Sequence, residues 1–189
     1  MLRPGGFLGL ERFDRIRPSI YAGWSGDLRA RLGRGDLEAA ITIDADGREV
    51  ATNAIHVGHA RLQVVGRRQA AGSEIDIATA NASGWALNPA GCGYRDVLSE
   101  ALERLGLSLN IGLETNSTET QIAVAGSGRL YSLAPSVVDS VLLASAGADL
   151  LCCPEIDVGL NFQVTPAAHT GRMGVLDAVA NAAARLLTK

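Results

Sequence analysis

The stretch from Trp85 to Leu113 constrains the fold more than any other part of the chain. Trp85-Ala86-Leu87 is a short apolar run suited to a buried strand, and Asn88-Pro89-Ala90-Gly91-Cys92-Gly93 after it has the composition of a turn. From about Tyr94 to Leu105 the apolar positions Val97, Leu98, Ala101, Leu102 and Leu105 fall on one helical stripe, and Gly106 stops the helix. Leu109, Ile111 and Leu113 then alternate with Ser108, Asn110 and Gly112, which is the period of a strand. Strand, turn, helix and strand in so short a length is the signature of a parallel crossover.

The same succession recurs along the chain. Leu10, Phe13 and Ile16 have helical spacing ahead of Pro18, and Asp27 is a candidate cap for a short helix carrying Leu28 and Leu32. Ala39-Ala40-Ile41-Thr42-Ile43 and Leu62-Gln63-Val64-Val65 read as strands, with turns at Gly35-Asp36 and Asp44-Ala45-Asp46-Gly47. Thr118-x-x-Gln121 has the pattern of a capping box opening a helix. Ile156, Val158, Leu160, Phe162 and Val164 alternate as a strand, and Leu176, Val179, Ala180, Ala183 and Leu187 make a final amphipathic helix. The expected class is α/β, with mixed, mainly parallel sheets. Ligands of such sheets bind beyond the carboxyl ends of strands, beside helix N-termini. That rule selects Asn88 to Tyr94 and Asn116 to Thr120.

Composition narrows the function. Lys+Arg 17 against Asp+Glu 20 leaves a net charge of -3, without the basic surplus of a nucleic-acid-binding module. Lys189 is the only lysine. Hydrophobic residues at 47% suit a globular core rather than a disordered chain. Cys92, Cys152 and Cys153 are an odd set that builds no disulfide framework and suits a reducing, cytoplasmic compartment. The start, Met1-Leu2-Arg3-Pro4-Gly5-Gly6-Phe7, lacks the apolar run of a signal peptide, and no stretch is long and apolar enough to span a membrane.

Few residues carry recognisable chemistry. At the start of the helix after Gly93, free N–H groups and the positive end of the dipole suit a carboxylate or other small anion, although a tight turn without a ligand explains the same residues. Ser117, Thr118, Glu119 and Thr120 crowd a second helix start, where capping is the plainer reading. His56 and His59 lack a third ligand at a useful spacing, so neither a metal nor a cofactor is expected. Cys92 sits where a helix N-terminus would stabilise a thiolate, whereas Cys152 and Cys153 read as buried structural residues. Gly126-Ser127-Gly128 is too short for a dinucleotide fingerprint, Arg67-Arg68 reads as solvated surface, and no nucleophile elbow occurs.

Taken in order, the segments resemble the effector-binding domain of LysR-type transcriptional regulators. Leu10-Glu11-Arg12-Phe13-Asp14-Arg15-Ile16-Arg17-Pro18-Ser19-Ile20 is similar to that family's first helix. Trp24 through Ile41, with Gly35-Asp36-Leu37-Glu38, resembles its "L-x-x-G-x-L-D-x-A-I" signature, with Glu38 where aspartate is usual. Leu62 to Arg68 matches the strand before the crossover, and Trp85 to Arg95 is the most specific match, to one subgroup. Gln121 to Pro135 resembles the helix, glycine turn and strand ending in proline, one residue short at Val124-Ala125-Gly126-Ser127-Gly128.

The resemblance implies a two-lobed fold of the type 2 periplasmic-binding-protein kind. Its first lobe would hold residues 1–81 and 160–189, its second 82–159, and the family's N-terminal winged helix-turn-helix would be absent from this chain. It further implies a non-enzymatic sensor in which a small effector binds between the lobes. Asn88, Pro89, Gly91, Cys92, Gly93, Tyr94, Thr118 and Glu119 would face the effector, with Val65 and Gly66 opposite. Partners would be the effector, further copies of the chain in a homodimer or tetramer, and DNA only through the missing head. A transport-type solute-binding protein, a ligand-free dimerisation module and a small hydrolase or transferase using Cys92 are the alternatives.

Overall fold

The computed structural model describes residues 19–47, 51–68, 73–156, 158–168 and 173–187. In chain order the elements are α1 (Ser25–Gly33), β1 (Ala39–Ala45), β2 (Ile55–Arg67), α2 (Ile77–Ser83), β3 (Trp85–Leu87), α3 (Gly93–Arg104) and β4 (Ile111–Glu114). Then come α4 (Thr118–Gly126), β5 (Ser132–Pro135), α5 (Ser140–Ala146), β6 (Ala148–Leu151), a 3-10 turn (Pro154–Ile156), β7 (Val158–Pro166) and α6 (Met173–Leu187). They fall into two units, Met1–Ala60 with Leu160–Lys189 and the continuous stretch Arg61–Gly159. The sequence division put residues 61–81 in the first lobe; here they belong to the second unit. The expected helix around Leu10, Phe13 and Ile16 lies outside the described residues.

In the first unit β1 and β7 pair antiparallel, from Ala39 opposite Pro166 to Ala45 opposite Leu160. Leu160, Phe162 and Val164 are buried on β7, and Leu176, Ala180 and Ala183 are buried on α6. The alternate residues of both strands are polar yet also buried: Thr42 and Asp44 on β1, Gln163 and Thr165 on β7. Asp44 is satisfied by Arg29 of α1 at 2.5 Å, by the Gln163 amide and by Thr42 Oγ1. A buried carboxylate is tolerable only with such partners. Asp27 does not cap α1: Trp24 holds that position, and Asp27 pairs one turn along with Arg31 at 3.1 Å.

The second unit carries the crossover grammar. β3 and β4 are parallel, and Trp85 bridges Tyr131 in parallel sense just ahead of β5. β5 and β6, joined through α5, both run antiparallel to β2 and therefore alike. The mixed α/β expectation is met, but not a mainly parallel pairing: β3–β4 is the parallel ladder, and both ladders of β2 with β5 and β6 are antiparallel. The β1–β7 pair is antiparallel as well, because those strands come from distant parts of the chain and no helix crossover sets their sense. The core gathers Val65, Ile122, Ala125, Ala134, Leu143 and Ala148. α2, α5 and β6 have no counterpart in the sequence reading. α2, Ile77-Ala78-Thr79-Ala80-Asn81-Ala82-Ser83, is built largely of small residues, and α5 and β6 are too short for a period to show. The signals that mark these two helices are the caps Asp76 and Asp139, whose carboxylates accept from Thr79 and Val141 N–H.

β2 runs well ahead of Leu62. His56 and His59 lie on this strand, not on a helix, and both are exposed because the burial alternation slips at Val57 and Gly58. Their ring centroids are 4.1 Å apart. Among the described residues no three His, Cys, Asp or Glu side chains gather as a metal site.

Gly126 closes the core where α4 meets α5 and β6. A Cβ there would stand 2.0 Å from the Ala146 carbonyl oxygen, and that backbone cannot swing aside as a side chain would. Gly126→Ala is expected to destabilise the fold by about 3 kcal/mol, read as a lower urea midpoint. Gly33→Ala, which meets open space at the end of α1, should leave the midpoint unchanged or raise it.

Candidate functional site

Because β3 and β4 run side by side in the same sense, their carboxyl ends, Leu87 and Glu114, are register partners. The loops that follow leave the sheet together, and each opens a helix: Asn88–Cys92 leads into α3, Thr115–Ser117 into α4. The Thr115 N–H donates to the Leu87 carbonyl at 2.9 Å, which starts both loops from one point. Gly91 turns the first loop with φ +91, a conformation other residues adopt only under strain.

Gln121 joins the two loops. This residue of α4 is 4% exposed, and its Nε2 donates to Asn88 Oδ1 and to the Thr115 carbonyl, the latter at 2.8 Å. Sequence reading gave Gln121 to a capping box; the cap is Ser117, whose hydroxyl accepts from Thr120 N–H at 3.1 Å. The Asn88 Nδ2 in turn donates to Cys92 Sγ at 3.1 Å. Arg95 reaches the Asn88 carbonyl at 3.4 Å and Glu114 at 2.7 Å. With its oxygen and nitrogen both engaged, the Asn88 side chain shapes the loop from inside.

The two helix starts differ electrostatically. α4 is closed by the Ser117 cap and by Glu119, whose carboxylate accepts from the Ser117 hydroxyl at 3.1 Å. Its own backbone N–H and then that hydroxyl hold the Glu119 pKa below the usual carboxylate value. α3 has no side-chain cap: Cys92 stands at the capping position, and among the described residues nothing accepts from the Gly93 or Tyr94 N–H. Burial of its hydroxyl, reinforced by the Cys92 thiol, raises the Tyr94 pKa and keeps the phenol neutral. An anion therefore finds donors and the positive dipole end at α3, and an occupying carboxylate at α4.

All the residues nominated from sequence lie in the second unit. Asn88, Pro89, Gly91, Cys92, Gly93 and Tyr94 share the first loop and the start of α3, and Thr118 and Glu119 open α4. Val65 and Gly66 lie on another element, β2. The Val65 side chain is 0% exposed in the core, and a Cβ on Gly66 would meet Leu151 and Tyr131 at 2.7 and 2.9 Å. Gln121 and Arg95 were missed as parts of the site. A buried amide in the helix that follows a ligand loop was the available signal for the first.

The cysteines separate by exposure. Cys152 is exposed, contrary to the buried reading, because successive residues of an extended chain face opposite ways and Cys153 takes the inner side. Burial, and the Glu155 carboxylate 3.3 Å from its sulfur, push the Cys153 pKa up to about 12. Keeping this thiol neutral contributes stability that is complete below its ordinary pKa of 9.0 and is lost as pH rises from there through about 12. Over that window the urea midpoint of the wild type should fall more steeply than that of Cys153→Ala. At neutral pH, iodoacetamide should modify Cys152 first.

A family model described as the LysR substrate binding domain matches residues 10–168. Among solved structures, the effector binding domain of QuiR in complex with shikimate aligns at TM-score 0.69 and 14% identity, covering 97% of this chain and 88% of that one. The regulatory domain of Synechocystis PCC6803 CcmR in complex with 2-PG aligns at 0.72 and 17%, covering 95% and 88%. The reduced regulatory domain of OxyR2 from Vibrio vulnificus aligns at 0.70 and 15%, covering 94% and 84%. At these identities the structures attest the fold, an α/β fold of the type 2 periplasmic-binding-protein kind. No curated protein sequence matches the chain.

Proposed function

The chain belongs to the LysR substrate binding domain family, and from that membership we propose that it senses a small anionic effector for a LysR-type transcription regulator. The observation that carries the choice of ligand charge is the uncapped start of α3, where Gly93 and Tyr94 N–H groups stand free among the described residues. The effector's anionic end sits on these groups, with Asn88, Pro89, Gly91 and Cys92 forming the loop beneath it and Thr118 and Glu119 flanking it. Glu119 favours an effector whose far end is neutral or cationic. The small molecules held by QuiR and CcmR support an effector of similar size.

Binding acts by differential affinity: the effector stabilises the arrangement it fits best, and the population shifts toward it. The readout is DNA binding by an associated winged helix-turn-helix, within a homodimer or tetramer in the cytoplasm. No bond is made or broken in this scheme. Among the described residues no helix is long and apolar enough to cross a membrane.

A thermal-shift screen against small carboxylates, amino acids and phosphates tests the reading. A ligand at about a hundred times its Kd adds roughly 2.7 kcal/mol, several degrees for a domain of this size. Gly93→Pro is the discriminating variant. Proline suits the first helical position and deletes the N–H; the Cys92 ψ of 124 is compatible with a following proline, and a Cβ at Gly93 meets nothing within 4 Å. The variant should keep the unliganded Tm and lose the ligand-induced shift. A shift equal to that of the wild type would place the anion elsewhere.

A further inference from the structure

We propose that Gln121 is the positioning residue of the effector loop, an inference that rests on the reading just given. Its amide is nine-tenths buried or more, at 4% exposure, and lies between two loops that each open a helix. Toward Thr115 it donates to a backbone carbonyl at 2.8 Å, and toward Asn88 to the side-chain oxygen. The second bond has a directional consequence. With Oδ1 committed to Gln121, the Asn88 amide must present its nitrogen to the other side, and there it meets Cys92 Sγ at 3.1 Å. Cys92 is the residue before the first free N–H of α3. The bonds Gln121–Asn88–Cys92 thus link the body of α4 to the anion-facing end of α3.

The device holds the N–H groups of Gly93 and Tyr94 in place before the effector arrives, so binding does not pay to order the loop. It also ties the two helix starts together: an effector that draws α3 toward it loads Gln121, and through Gln121 the start of α4. Without the Gln121 donors, Asn88 Oδ1 and the Thr115 carbonyl lose their partner, and the loop opens more often.

Cys92 reports that opening without any ligand. Gln121→Met keeps the length of the side chain and removes both donors. Labelling by iodoacetamide at fixed pH, followed by peptide mapping, should find Cys92 modified about tenfold faster than in the wild type, the factor that loss of the Gln121–Asn88 bond, the one of the two that holds the Cys92 loop, allows. Buried Cys153 should stay as slow as in the wild type and certify an intact fold, with exposed Cys152 as the internal standard for the reagent. Asn88→Ala should give the same acceleration from the other end of the relay, and the double variant should add nothing further. An unchanged Cys92 rate in a folded Gln121→Met protein overturns the proposal, as does acceleration that Asn88→Ala fails to reproduce. These outcomes are independent of the effector reading, which fails separately if no compound in the thermal-shift screen stabilises the wild type.

Discussion

Parallel pairing of β3 with β4 is the constraint on which the rest of the site depends. An antiparallel pair would have sent the two following loops to opposite ends of the sheet. Parallel strands send them to one edge, so α3 and α4 begin beside each other. Asn81 holds this pair in register. Its Oδ1 accepts from the Trp85 indole N–H at 3.1 Å and the Asn110 N–H at 3.0 Å, while its Nδ2 donates to the Ser108 carbonyl at 3.0 Å. One buried amide thereby fastens the start of β3 to the approach of β4, and Trp85, 0% exposed, cannot move without breaking it.

Two adjacent helix starts need not do the same thing, and here charge divides the labour. α4 brings its own anion in Glu119, together with a hydroxyl cap, and satisfies itself. α3 begins at a cysteine whose sulfur is turned inward to an amide, so its end remains open. In sequence, Ser117, Thr118, Glu119 and Thr120 crowd the start of α4 while Cys92 stands between two glycines at that of α3, and the inward turn of the Cys92 sulfur completes the distinction.

The sequence made the second unit legible where polarity changes with a clear period. The strand at Trp85, the stripe of Val97, Leu98, Ala101 and Leu102, and the glycine turn after α4 all stand in the structure. Leu105 left the stripe, 52% exposed, because the helix ends at Arg104 and the chain turns away there. Illegible were segments in which period and chemistry conflict. α2 and α5, of 7 residues each, are too short to show a face. Asp44 reads as the start of a turn and Gln163 as the solvent face of an alternating strand, yet β1 runs on to Ala45, α1 supplies Arg29 and both residues are buried. At the site, residue identity pointed to two loops that the structure sets side by side, while Gln121 was hidden because a glutamine near a helix start fits a capping pattern equally well.

The chain contributes Arg61–Gly159 to one unit without interruption and assembles the other from its two ends. During synthesis the continuous unit has all its strands once residue 159 has emerged. The strand β1, made far earlier, must wait for β7, since Ala39 pairs with Pro166. A long loop is closed by that pairing, and closing it costs entropy that local contacts do not. The half of the molecule that bears the Asn88–Cys92 loop is therefore the early-folding half, and the strand order makes the other half its dependent in time.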